Sequence, residues 1–585
     1  MRRALMPTIA SLCLLATTPA LAQTPPADAP PTEGDVAPER TPGAADAAAA
    51  TVPTTTGRLA APTTGGKPRD WCGTPPPSLA ERVHGADAAP RARWGGARWD
   101  TWGVARLRYE TMNDPGLDET QRASGRGAWA SSRLIAGGQV KPTDMLAFDI
   151  EIEALSGTFA GQTTTIGTAA DPRPFRVRRD GRADLAIVLP RALAVTATFP
   201  KAGQLRAGIQ SFSWGTGMLA NDGKGDPVFG DPDQGNVNAR VLFATQPFKN
   251  TEGAAAMQRG LSFFAAADLV IRDDNAFLYE GDLAVAGLLG LRASSPRGEV
   301  GALFVGRWQR DHADPLRPTQ ATTLAFPIDV YGKVRVTPDD SAHHLTLEGE
   351  AAVVQGTSTR PWFEATVPNG AKVLSAGMVS RVRYDNDTHH LTAVVETGFA
   401  TGDNDPRDGV SRQFAMHSDH EVGLLLFEHV LPLLSANAVD RASDPQLVAT
   451  PLPGARNAVN QGQVSNAVYL YPTLRWRPVP ALDLRAGWLS AWSAGDAVDP
   501  FLTGLAGGYP VGWGGGDATR HHLGDELDAS ARVHLKATGN LAIDLGAEGG
   551  IFLPGGAFAD LDLSPTAAPW RGGLRTLRAR FDLRW

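Results

Sequence analysis

The chain has 585 residues, 55 Lys and Arg against 62 Asp and Glu, and a net charge of -7, a balance too mild and too mixed to imply a nucleic-acid partner. Its 2 cysteines, Cys13 and Cys72, exclude a disulfide framework and a Cys-rich metal site. With 64 glycines and 14 tryptophans it reads as a large β protein, either soluble or a membrane barrel.

Met1 to Gln23 opens with Arg2 and Arg3, runs through an apolar stretch from Ile9 to Ala16 and reaches Ala20-Leu21-Ala22. That is the layout of a secretory signal peptide, so residues 1–22 are expected to be removed and the mature chain to start at Gln23. Removal takes away Arg2 and Arg3 and no acid, moving the net charge from -7 to -9. Cys13 follows Leu12 rather than a small residue, which argues against a lipoprotein. Beyond this point no apolar run reaches the roughly 18 residues that a membrane helix needs. Residues 23–98 are rich in Pro, Ala, Thr and Gly (TPPADAPPTEGD, TVPTTTGRLAAPTTGG). Such a segment buries too little apolar surface to offset its ordering entropy, and it is expected to be a disordered periplasmic lead-in.

From residue 99 to 585 the texture is alternation with period two. Leu146, Phe148, Ile150 and Ile152 face one way while Asp149, Glu151 and Glu153 face the other. Leu261 to Ile271, Leu345 to Val353, Leu391 to Phe399 and Leu527 to Leu535 repeat the pattern, and helical spacing fits none of them. Short connections fall at 141–144, 200–203, 294–298, 338–342, 385–388, 478–481 and 537–540. Long ones fall at 113–126, 157–182, 214–236, 357–371, 495–521 and 553–572. Short turns on one side and long loops on the other are the habit of outer-membrane barrels. The apolar run Val422 to Leu431 (VGLLLFEHVL) breaks this parity if it is a strand. Parity returns if 401–463 is one extracellular excursion, whose apolar run is expected to fold back into the lumen or across the mouth. The expectation is then an all-β, up-and-down antiparallel transmembrane barrel of about 18 strands.

The last strand, GLRTLRARFDLRW, sets Leu577, Ala579, Phe581, Leu583 and Trp585 against Thr576, Arg578, Arg580, Asp582 and Arg584. One face is apolar and the other charged, as lipid outside and a wet lumen inside would require. A terminal strand ending on an aromatic is similar to the signature of bacterial outer-membrane barrels, where the assembly machinery is thought to read it.

The lumen-facing set carries Arg381 and Arg383 on one strand, Arg475 and Arg477 on another, and Arg578 and Arg580 on a third. Acids interleave, among them Glu151, Glu348, Glu350 and Asp528. Opposed ladders of this kind set a field across a constriction. The pairs His343-His344, His389-His390 and His521-His522 cannot chelate from one strand face, because neighbours on a strand point oppositely. His417, Asp419 and His420 are better spaced to hold a metal, although an ordinary polar loop accounts for them equally. Asn221 to Asp233 and Thr401 to Asp408 have the oxygens for calcium, although turn chemistry explains the same residues. No G-x-S-x-G elbow, H-E-x-x-H or glycine-rich phosphate loop is present.

Leu523 to Phe558 resembles the C-terminal hairpin of the alginate-export family of outer-membrane barrels. The resemblance rests on Gly524, Glu526, Leu527 and Asp528, then Asn540 and Leu541, then Gly549, Phe552 or Phe558, and Pro554-Gly555. It implies an 18-stranded channel that passes a polyanionic polysaccharide through an arginine-rich lumen; the mixed signs on the predicted lumen face speak against the polyanion. The resulting expectation is a porin-like channel in the outer membrane of a Gram-negative bacterium, for passive diffusion or export of small polar or charged solutes. It needs no cofactor. Its partners would be outer-membrane lipid and lipopolysaccharide, the barrel assembly machinery through the strand ending at Trp585, and the solutes. The alternatives are a closed barrel acting as membrane anchor or adhesin, and a barrel-embedded hydrolase.

Overall fold

The computed structural model describes residues 92–94 and 97–585, apart from 163, 165, 167–187, 201, 314–319, 339–340, 361–369, 449–454, 537–540, 562 and 564–572. The expected signal peptide and nearly all of the expected lead-in lie outside the described residues.

A single antiparallel sheet closes on itself. Its strands are β1 (Ala97–Met112), β2 (Ala128–Thr143), β3 (Leu146–Gly161), β4 (Leu189–Phe199), β5 (Gly203–Ser211) and β6 (Val237–Thr245). There follow β7 (Ser262–Arg272), β8 (Leu283–Ser295), β9 (Gly298–Arg310), β10 (Thr322–Arg335), β11 (His343–Ser358) and β12 (Ala371–Asn386). The last are β13 (Leu391–Ala400), β14 (Ala467–Val479), β15 (Leu482–Trp492), β16 (His522–Lys536), β17 (Ala542–Pro554) and β18 (Leu574–Arg584). Each strand pairs with its neighbour in sequence, and β18 returns to β1 with Leu577 opposite Thr111 and Arg580 opposite Arg108. The barrel therefore has 18 strands and an up-and-down topology. Two further short strands, Ala92–Trp94 and Val410–Ser411, add to β1 and β12 without entering the ring.

The period of two decides which side each residue takes. On β18, Leu577 is 60% exposed while Arg578 beside it is 1% exposed. On β3, Phe148, Ile150 and Ile152 are exposed while Asp149, Glu151 and Glu153 are buried. A barrel has no free edge, so every strand between ends is satisfied on both sides. At the seam, Gly103 and Trp585 exchange backbone hydrogen bonds of 3.0 and 3.2 Å.

One apolar face departs from strict alternation. Ile271 was expected on the outer face with Phe263 and Leu269, yet Val270 and Ile271 are both buried. The register of β6 against β7 shifts between Val237 and Asn238, and this bulge turns the end of β7 inward. Sixteen residues, 246–261, also join β6 to β7 on the short-turn side, with a single helical turn at Ala256–Arg259. No turn signal within them had been recognised.

A charge placed on the outer face opposes burial in lipid, whereas one on the inner face does not. Leu289, at the middle of β8 and 62% exposed, is the test position. Leu289→Arg is expected to lower the stability of the barrel refolded in vesicles by about 2–4 kcal/mol, measured by urea titration.

Candidate functional site

Two of the connections turn into the barrel rather than away from it. Residues 212–236, between β5 and β6, cross the interior. Trp214 Nε1 donates to Asp329 on β10 at 3.0 Å, and the Thr216 hydroxyl donates to Glu350 on β11 at 2.6 Å. Lys224 pairs with Glu151 on β3 at 2.8 Å. Asp226 takes Arg485 on β15 and Arg532 on β16 at 3.6 and 3.0 Å. Asp231 takes Arg106 and Arg108 on β1 at 2.8 and 3.6 Å, and Arg580 on β18. Backbone carbonyls are used as well: Arg133 donates to Pro232 at 2.6 Å, and Arg485 to Val228 at 2.8 Å. The loop thereby touches most of the circumference.

Local chemistry makes this path available. Asn221 accepts from the Gly223 N–H at 2.9 Å and Asp222 from the Lys224 N–H at 3.1 Å, which are Asx turns. Gly235 has φ +64°, and a Cβ there would lie 2.5 Å from Arg191 Nη2 and 2.5 Å from the Asp222 carbonyl oxygen. Only glycine lets the chain pass this arginine.

The second in-folded segment is 401–466, between β13 and β14. Val422, Leu424, Leu425, Leu426 and Phe427 are buried against Tyr469, Tyr471, Leu489 and Phe552 of the barrel wall. A π-helical turn, Leu426–Val430, leads into α1 (Leu431–Ser443). This helix is buried nearly all round, its polar residues included: Asn437 donates to the Leu117 carbonyl and to Asp118 at 3.2 Å each. Glu526 on β16 accepts the backbone N–H groups of Leu425 and Leu426 at 2.8 Å each, and that of Leu424. Arg578 on β18 reaches Glu428 of the segment at 2.8 Å while also holding Glu110 and Glu548 at 3.0 and 3.2 Å. His429 adds a 2.8 Å contact to Glu110.

What the two segments leave empty is a chamber of about 630 Å³ against β6 to β12. Its wall mixes apolar side chains such as Phe212, Leu288 and Trp513 with amides such as Asn238, Gln309 and Gln461.

All the lumen residues named from the sequence lie on the inner face, and each engages a partner. Arg381 sits between Glu396 and Glu348 at 2.5 and 3.6 Å. Arg383 holds Asp385 at 2.8 Å, and Arg475 and Arg477 converge on Asp483. Tyr331 donates to Glu348 and Tyr471 to Asp528, at 2.8 and 3.2 Å. None of Arg381, Arg383, Arg475, Arg477, Arg578, Arg580, Glu151, Glu348, Glu350 or Asp528 lines the chamber. Arginines not singled out from the sequence, Arg106, Arg108, Arg133, Arg191, Arg272, Arg485 and Arg532, hold loop 212–236 together with Arg580; their signal is the same inner-face parity.

His417 and Asp419 stay close, with Nδ1 3.9 Å from the carboxylate, but His420 turns away from them. His417 Nε2 meets Asn236 at 2.8 Å, and Asp419 accepts the N–H groups of Asp233, Gln234 and Gly235 at 2.8, 3.0 and 2.5 Å. His420 turns to Tyr469 and Glu396 at 3.1 and 3.3 Å. Among the described residues no three His, Cys, Asp or Glu side chains come together in a way that would hold a metal. The carboxylates Asp226 and Asp231, which looked suited to calcium, face guanidinium groups instead.

One serine and histidine are in contact, Ser493 Oγ with His521 Nδ1 at 2.9 Å. The same Nδ1 lies 3.1 Å from the Gly495 carbonyl, an acceptor that favours a proton on that nitrogen. The serine and the carbonyl thus compete for one ring nitrogen.

No family model matches the sequence, and no curated protein matches it. The alginate-export likeness of Leu523 to Phe558 therefore stays a resemblance. Among solved structures the chain is similar to OccAB1 of Acinetobacter baumannii, at 9% identity and a TM-score of 0.46, over 83% of this chain and 96% of that one. It is similar to a BenF-like porin from Pseudomonas fluorescens Pf-5 at 11% identity and a TM-score of 0.45, over 83% and 98%. It is also similar to OccK11 (OpdR) of Pseudomonas aeruginosa at 10% identity and a TM-score of 0.43, over 83% and 95%.

Burial works to raise the Asp231 carboxyl, but Arg106, Arg580 and Arg108 outweigh it and hold it down to about 2. A carboxylate held below its unfolded value of 3.8 contributes stability that is complete above that value and lost as pH falls through about 2. Protection factors for hydrogen exchange across 222–235, taken against the intrinsic rate at each pH, are expected to hold at pH 5 and to fall only between about pH 4 and 2. Glu526→Ala leaves three buried N–H groups without an acceptor, at a cost of about 3 kcal/mol or more. Exchange at Leu424 to Leu426 should then quicken by about a hundredfold.

Proposed function

We propose that the chain is a porin-like channel of the bacterial outer membrane, through which small polar or charged solutes diffuse without a cofactor. The observation that carries this is the closed ring of strands, apolar outside and ionic inside, with a chamber left open beside two in-folded segments. The exposed Phe148, Ile150, Leu289, Phe304 and Leu577 suit lipid. Trp99, Tyr109, Trp308, Trp476 and Trp492 are exposed toward the ends of their strands, where aromatic girdles meet the two interfaces. The short turns and both ends of the ring then face the periplasm, and segments 212–236 and 401–466 enter from outside. Residues 1–22 act as the signal peptide and those from 23 to 91 as a periplasmic lead-in, which ends earlier than expected because Ala92–Trp94 and Ala97–Arg98 already pair in the sheet. The strand ending at Trp585 addresses the assembly machinery, and lipopolysaccharide surrounds the outer rim.

A second reading, a closed barrel serving as anchor or adhesin, is favoured by the apolar core around α1. The protein then conducts nothing. Among the described residues the contact of Ser493 with His521 shares its ring nitrogen with the Gly495 carbonyl and carries no further argument for a hydrolase.

Single-channel recording of the refolded protein separates these readings. Steady openings are expected from the wild type, with larger ones after deletion of 401–466. If neither protein conducts, the channel reading fails and the anchor takes its place.

A further inference from the structure

The chamber wall carries three arginines and five aspartates, and no lysine or glutamate. Each arginine is already matched. Arg240 makes a two-bonded pair with Asp268 at 2.6 Å, Arg307 holds Asp273 at 2.5 Å, and Arg360 holds Asp311 at 3.0 Å. The two-point contacts of Arg240 and Arg307 fix the guanidinium plane and leave little of its charge for a passing solute, and Arg360 is held by Asp311 through Nε alone.

Three aspartates of the wall remain. Asp403 shares Arg412, at 3.8 Å, with Asp408 at 2.7 Å. Asp274 is held by neutral donors, the Ser418 N–H and hydroxyl at 2.7 Å each and the Gln463 amide at 3.1 Å; the nearest group able to carry a positive charge is His417 Nδ1 at 4.0 Å. Asp329 is 2% exposed, accepts from Trp214 at 3.0 Å, and has its carboxyl paired with that of Glu350. Two carboxyls in contact share one proton, which leaves Asp274 as the wall carboxylate that meets no group able to carry a positive charge closer than 4.0 Å.

We propose that the chamber takes small solutes bearing an amine or guanidine group and turns away carboxylates, with Asp274 receiving the solute's positive charge. Passage through the chamber rests on the channel reading; binding within it does not. The arginine-rich lumen that alginate export would need is absent in effect, because the guanidiniums facing this space are neutralised.

The test uses two five-carbon probes of opposite charge, cadaverine and glutarate, on the full-length protein. In proteoliposome swelling cadaverine should enter faster than glutarate, and in a KCl gradient the reversal potential should carry the sign of cation preference. Asp274→Asn keeps the shape of the side chain and should reduce the preference by on the order of threefold, the effect of one charge a few ångströms away in water. Asp268→Asn releases Arg240 and should shift the preference toward anions. Equal or faster entry of glutarate through a conducting wild type overturns the proposal. A protein silent in the bilayer that binds cadaverine and not glutarate by calorimetry refutes the channel and upholds the chamber. Silence with no binding of either refutes both.

Discussion

Charge pairing inside a closed wall is the constraint on which the rest depends. A guanidinium taken out of water is tolerated only where carboxylates and carbonyls replace its hydration. Arg191 is wholly buried between Glu151 and Glu153, and Arg578 is almost so among Glu110, Glu428 and Glu548. These groups sit on the inner face because their neighbours along each strand must face outward. Once there, with segments folded in over them, they cannot be solvated by bulk water. The partners have to come from the opposite wall or from the loops, and both are used.

The two in-folded segments meet this demand in different ways. Residues 212–236 hold few regular hydrogen bonds of their own and present carbonyls and carboxylates to the arginines around the ring. Segment 401–466 brings its own apolar core, so that Leu424 to Phe427 and α1 pack on the wall as a small globular domain would. The first filling is ionic and the second largely hydrophobic. Between them and the wall of β6 to β12 they leave the chamber, where ion pairs and apolar side chains stand side by side.

Much of the architecture was legible from the residues. Alternation located the strands, Pro, Gly and Asp clusters located the turns, and parity required Val422 to Leu431 to leave the ring. Ile271 was misplaced because a bulge is a local slip of register that leaves no trace in hydrophobic spacing. The role of 212–236 could not be seen for a different reason. Its Asn, Asp and Gly residues are those of any exposed turn, and its partners lie far along the chain: Asp226 and Arg532 are 306 residues apart, Asp231 and Arg580 349. The inner-face parity of Arg381, Arg475 and Arg578 was plain, yet parity does not distinguish an arginine facing open space from one locked to Glu396, Asp483 or Glu428. The chamber wall, built from β6 to β12 and several loops that include 212–236, 401–466 and 493–521, has no local signature at all.

The seam of the barrel has a bearing on how the molecule is made. β18 is the last strand of the chain, and its arrival beside β1 completes the ring. The same strand carries Arg580, which receives Asp231, and Arg578, which receives Glu428. Neither inward segment has its full set of counter-charges until that strand is in place. The strand that seals the ring is thus also the one that completes the ionic anchorage of both inward segments.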